Sequence, residues 1–106
     1  MSGMSATAYG AWSEPKPATA ETQDIAEKVK KAALEILKQE VFIEYKAIEY
    51  QDQVVAGMNF KIKVQTTPMV MIRDVGYAGI IQLDVYRNLQ FEFNLTDATN
   101  LAQQPL

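Results

Sequence analysis

At 106 residues the chain is long enough for one domain with one core, and too short for two. Nearly half of it is apolar and its net charge is −3, from ten basic and thirteen acidic residues, which excludes general disorder and leaves no basic cluster for nucleic acid. It has no cysteine, no apolar run of membrane-spanning length and no basic-then-apolar leader, so a disulfide-free cytoplasmic protein without a membrane partner is expected.

The first sixteen residues are rich in Ser, Ala, Gly and Pro and lack periodicity, which predicts a mobile arm over 1–16 ahead of a single domain over 17–106. Pro15 and Pro17 disfavour helix before them, and Thr19 has the chemistry of an N-cap, with Glu21 in the first turn. From there Ile25, Val29, Ala32, Ala33, Ile36 and Leu37 recur every three or four residues, predicting one amphipathic helix from Thr19 to Leu37. Lys28, Lys30, Lys31 and Lys38 lie largely off that stripe.

The remainder alternates with a period of two. Tyr45 to Tyr50 reads as a strand, and Phe60, Ile62 and Val64 alternate with Lys61 and Lys63. Ile81, Leu83 and Val85 alternate with Gln82, Asp84 and Tyr86, and Phe91, Phe93 and Leu95 with Glu92 and Asn94. One helix across an antiparallel sheet of four strands, five if the arm adds an edge, is an α+β architecture. The expected core is Ile25, Val29, Ile36, Phe60, Ile62, Leu83 and Val85.

Between the first two strands stands Gln53-Val54-Val55-Ala56-Gly57, a tight hairpin tip that is apolar where such tips are normally polar. A tip of this kind either folds back on its own core or is buried by something else. Catalysis has little to work with. The chain has no histidine and no cysteine, so the usual general base, thiol nucleophile and transition-metal ligands are missing. The carboxylates Asp24, Glu27, Glu35, Glu40, Glu44 and Glu49 are spread as solvated charges normally are, and no Gly-rich phosphate loop occurs. No enzyme, metal or cofactor is expected.

Gln53-Val54-Val55-Ala56-Gly57 resembles the Gln-Val-Val-Ala-Gly signature of the cystatins. Pro17-Ala18-Thr19-Ala20-Glu21-Thr22-Gln23 with Ile25-Ala26 and Val29 is similar to the start of the helix in stefins, the single-domain intracellular branch (type 1 cystatins). Gly10-Ala11 stands where stefins carry a Gly-Gly or Gly-Ala pair, and Val85-Tyr86-Arg87-Asn88-Leu89 resembles their second hairpin. The similarity runs from Gly10 to Val64 and, more weakly, from Ile80 to Leu95.

The resemblance implies the cystatin fold and reversible, tight-binding inhibition of papain-like cysteine proteases of the cathepsin type. It implies a wedge built from the arm and two hairpin tips, which occludes the cleft with no covalent step. The protease-binding residues it implies are Tyr9, Gly10, Ala11, Gln53, Val54, Val55, Ala56, Gly57, Asn88 and Leu89. Ala8 and Tyr9 would lie in the non-primed subsites, with Gly10 passing the catalytic centre and Leu89 on the primed side. It also implies that a homodimer can form by exchange of the first hairpin.

Three features depart from the family, one of them a tail after Leu95 that lacks the charged ending familiar in stefins. Gln90 replaces the proline that normally follows the leucine of the second hairpin, so that hairpin is expected to be shorter and to contribute less. The connection over 65–79 is longer and more apolar than the short polar one of stefins. It is read first as strand extension on both sides, because Val70, Ile72 and Ile80 or Ile81 continue a ladder. Two other readings stay open, a binding loop and an inserted or selected sequence on a stefin scaffold. On the last reading the chain is a binding scaffold that recognises another protein through 65–79 or the tips.

Overall fold

The computed structural model describes residues 10–42, 44–66 and 77–105, without the side chains of 77, 78 and 102–105. Five strands form one antiparallel sheet in sequence order: β1 (Lys16–Pro17), β2 (Tyr45–Val55), β3 (Gly57–Thr66), β4 (Tyr77–Arg87) and β5 (Phe93–Pro105). Two helical segments, α1 (Ala20–Lys28) and α2 (Lys30–Leu37), pack on one face. The expected α+β arrangement is the one observed, with β1 as the fifth strand.

Thr19 caps α1 as its chemistry predicts. Its hydroxyl accepts from the Thr22 amide while the Thr22 hydroxyl accepts from the Thr19 amide, each at 3.2 Å. This satisfies two backbone donors that the first turn would otherwise leave unpaired. The helix predicted as one piece turns at Val29, whose φ of −105° and ψ of 8° leave the helical region. The change of phase rotates α2. Ala33 becomes fully buried and Leu34 and Leu37 pack on the core, whereas Ile36, expected in the core, is 44% exposed.

Beneath the helices lie Phe60, Ile62 and Val64 from β3 and Ile81, Leu83 and Val85 from β4, the alternate residues that the sequence pattern selects. The sheet's other face carries their polar neighbours, including Lys61, Lys63, Gln82 and Asp84. β1 covers only Glu49 and Tyr50 of the outer edge of β2, and Gln23 of α1 meets backbone groups on the edge that β1 leaves open. Its amide oxygen accepts from the Ala47 amide at 2.8 Å and its Nε2 donates to the Tyr45 carbonyl at 3.0 Å. The Tyr45 hydroxyl donates to the Ala26 carbonyl at 2.8 Å, and the ring stacks on Phe42. Burial pushes the Tyr45 phenol well above its ordinary pKa, the nearby Glu27 carboxylate adding to the shift. Helix and sheet are therefore locked together at the end away from the first hairpin.

The last strand differs from its sequence pattern at both ends. β5 extends to Pro105, paired with β4 along its length, where the sequence suggested only a tail after Leu95. Phe91, expected to alternate within that last strand, precedes it and sits in the turn with φ of 62°. Of the 65–79 connection, β3 continues to Thr66 and β4 begins at Tyr77, so both flanks are strand. Its centre, with Val70, Ile72, Asp74 and Gly76, lies outside the described residues.

Candidate binding edge

β2 runs unbroken to Val55 and β3 starts at Gly57, leaving Ala56 alone at the apex of the first hairpin. So tight a reversal needs a residue free of Cβ constraints. Gly57 has φ of 112°, and a Cβ there would run into the Arg87 carbonyl oxygen on β4. That close approach brings the first tip against the strand that leads to the second. The Tyr86 hydroxyl donates to the Ala56 carbonyl, fixing the apex from the same side. Val54 is 41% exposed at the tip.

Gln53 ties the arm to this hairpin. Its Oε1 accepts from Asn59 Nδ2 at 2.8 Å, which orients the carboxamide so that Nε2 donates to the Gly10 carbonyl at 2.7 Å. The Gly10 amide donates to the Val54 carbonyl at 3.0 Å, and Gly10 has φ of 86°, in the region that favours glycine. Ser13 adds three bonds: its amide to the Asp52 carbonyl, its hydroxyl accepting from the Asp52 amide, and its carbonyl accepting from Gln51 Nε2. Lys16 pairs with Asp52 at 3.3 Å. Burial is the largest influence on that ammonium and lowers its pKa, but hydrogen bonding and charge from Asp52 and Tyr50 outweigh it, so the net shift is upward. Residues 10–17 thus run along the free edge of β2.

The second hairpin is organised by one side chain. Asn88 Oδ1 accepts from the amides of Gln90 and Glu92, each at 2.9 Å, and its Nδ2 donates to Glu92 Oε1 at 2.7 Å. Gln90, standing where the family has proline, supplies an amide that proline lacks. Leu89 and Phe91 are each 66% exposed at this tip. The Arg87 guanidinium lies 4.2 Å above the Phe91 ring, while its Nε is buried with no acceptor among the described residues.

Gly10, Ala11, Gln53, Val54, Val55, Ala56 and Gly57 come together at one end of the sheet, and Asn88 and Leu89 stand beside them through the Met58–Arg87 pairing. Tyr9 lies outside the described residues, as does Ala8. Two exposed aromatics belong to the same edge and were not singled out from the sequence. Phe91 was hidden within an alternating run. Trp12, the chain's single tryptophan, follows the Gly10-Ala11 pair and is bridged to Gln53.

A family model described as Cystatin domain matches residues 10–71. Cystatin-A of Mus musculus is 41% identical over 86 residues, covering 81% of this chain and 78% of its own length. Cystatin-A of Bos taurus is 53% identical over 57 residues, 54% of this chain and 57% of its own. Stefin-3 of Mus musculus is 40% identical over 86 residues, 81% of this chain and 74% of its own.

Proposed function

The chain belongs to the cystatin family, on its stefin branch, and from that premise we propose that it blocks papain-like, cathepsin-type cysteine proteases by reversible occlusion of the cleft. In general terms it is a cysteine-protease inhibitor and not an enzyme. What supports the finer reading is one observation: the arm and both tips meet at one end of the sheet, and each is held by hydrogen bonds or a glycine contact. A cleft that must be filled reversibly needs a stiff, apolar insert, because burying unpaired polar groups is costly and ordering loose chain weakens binding.

In this reading Val54, Val55 and Ala56 enter the cleft with little side-chain entropy to lose, and Leu89 with Phe91 covers the primed side. Gly10 and Ala11 run past the catalytic centre without presenting a scissile bond in register, and Tyr9 continues into the non-primed subsites. The absence of cysteine lets the protein act in a reducing compartment, which is why we place it in the cytoplasm. Among the described residues no helix is long and apolar enough to cross a membrane.

Titration of papain with the full chain tests this. Val54→Asp places a charge at the centre of the contact, so inhibition should fall by about an order of magnitude or more while the free protein keeps its melting temperature. Full inhibition by that variant, or none by the parent at micromolar concentration, would overturn the reading. Changes at Met69, Met71 and Ile72 should leave papain inhibition unaltered, whereas a scaffold that binds through 65–79 would lose its target. A size-exclusion run alongside detects exchange of the first hairpin between two copies, which would open the tip and remove it from the edge.

A further inference from the structure

Trp12 reaches beyond the strand it pairs with. Its backbone bridges Gln53 on β2, yet its ring lies 4.4 Å from the Lys61 ammonium on β3. Lys61 pairs in register with Gln51 on one side and with Asp84 on the other, and projects from the sheet face opposite the helices. No ion pair of Lys61 is formed among the described residues, so its charge rests on the indole ring. Trp12, Asn59, Lys61, Asp84 and Thr96 line one shallow hollow on that face. Neither Trp12 nor Lys61 belongs to the Gln53–Gly57 signature.

We infer that Trp12 and Lys61 form a latch that holds the N-terminal arm in its protease-binding course before any protease arrives, making them positioning residues for the inhibitor. The inference rests on the inhibitor reading above. The arm's backbone bonds at Gly10 and Ser13 lie on the solvent side of an edge strand, where water competes for them. A ring laid across β2 onto β3 resists peeling, because releasing it exposes the indole and separates it from the ammonium. An arm already ordered loses less freedom on binding, and the gain appears mainly as slower dissociation.

Because Trp12 is the sole tryptophan, its emission and anisotropy report the latch directly in the free protein. The experiment compares the full chain with Lys61→Met, which keeps the stem and removes the charge, with Trp12→Ala, with the double variant, and with Lys61→Arg. Lys61→Met should lower the anisotropy and shift the emission, and Lys61→Arg should restore both. Against papain, each loss-of-latch variant should dissociate about two- to fivefold faster, the range set by one exposed cation–π contact. The double variant should be no worse than either single one, with association rates and melting temperatures unchanged.

Unaltered tryptophan anisotropy in Lys61→Met would show that there is no latch. Altered anisotropy with an unchanged dissociation rate would show that the latch does not position the arm. A loss in Trp12→Ala that Lys61→Met fails to reproduce would make Trp12 a direct contact instead and overturn the inference. If the parent chain does not inhibit papain, the inhibitor reading fails with it, and so does the positioning role. The anisotropy comparison would still separate that failure from a latch that never forms.

Discussion

Gly57 shows how much one residue without a Cβ can carry. Its φ of 112° and its approach to the Arg87 carbonyl make two separate demands, and any side chain violates both. Gly57→Ala should destabilise the protein by about 1–3 kcal/mol from backbone strain, with the clash adding to it, and displace the first tip. Chemical denaturation and papain titration should therefore both register the change. Gly10 makes only the first demand, since a Cβ there would meet nothing within 4 Å. Gly10→Ala should therefore add backbone strain without the clash, shifting the denaturation midpoint less than Gly57→Ala does while still weakening inhibition. In the core, Ile62 is fully buried, and Ile62→Ala should cost about 2–5 kcal/mol by the cavity it leaves.

At the scale of the element, the second hairpin exchanges one means of stiffening for another. A proline after Leu89 would restrict the chain covalently. Here Asn88 restricts it through three hydrogen bonds, one of which needs the Gln90 amide. Gln90→Pro brings the sequence nearer the family pattern, yet should lower stability by about 0.5–1.5 kcal/mol because that donor is lost. An unchanged urea midpoint would contradict this. Phe91 is a bulky residue at φ of 62°, a conformation that glycine adopts without strain. Phe91→Gly trades the ring's contact with Arg87 for relief of that strain, so stability should change by less than about 1 kcal/mol. Inhibition should nonetheless weaken about tenfold if the ring touches the protease. A parallel loss of both would mean that Phe91 serves the fold instead.

Across the whole molecule, the helix–sheet lock around Tyr45 and the proposed binding edge stand at opposite ends of β2, so a perturbation of the lock acts on stability before it acts on the tips. The fold raises the Tyr45 phenol above its ordinary value of 10, so the folded state keeps a proton that the unfolded chain gives up. This contribution is full below pH 10 and is lost as the pH rises past it. The urea midpoint should fall above about pH 10, and Tyr45→Phe should remove part of that fall. With no histidine in the chain, the midpoint should be flat between about pH 5 and 8. Any pH dependence of inhibition in that window then belongs to the protease.

The sequence by itself determined the features that depend on near neighbours. Thr19 and Thr22 cap a helix because they are three residues apart, and Ile62, Val64, Leu83 and Val85 face one way because side chains in a strand alternate. The Gln53–Gly57 tip was legible as apolar and tight, and with Gly10-Ala11 and the helix start from Pro17 to Gln23 it identified the family. What only the tertiary structure decided depends on distant partners or on the state of a single backbone angle. Ile36 left the core because Val29 departs from helical geometry, a change of phase that periodicity does not record. Phe91 left its strand because Asn88 gathers the turn amides, and alternation reads the same on either side of a strand boundary. Trp12 meets Lys61 across about fifty residues of chain through the register of β2 and β3, and register is a property of the paired sheet rather than of either segment alone.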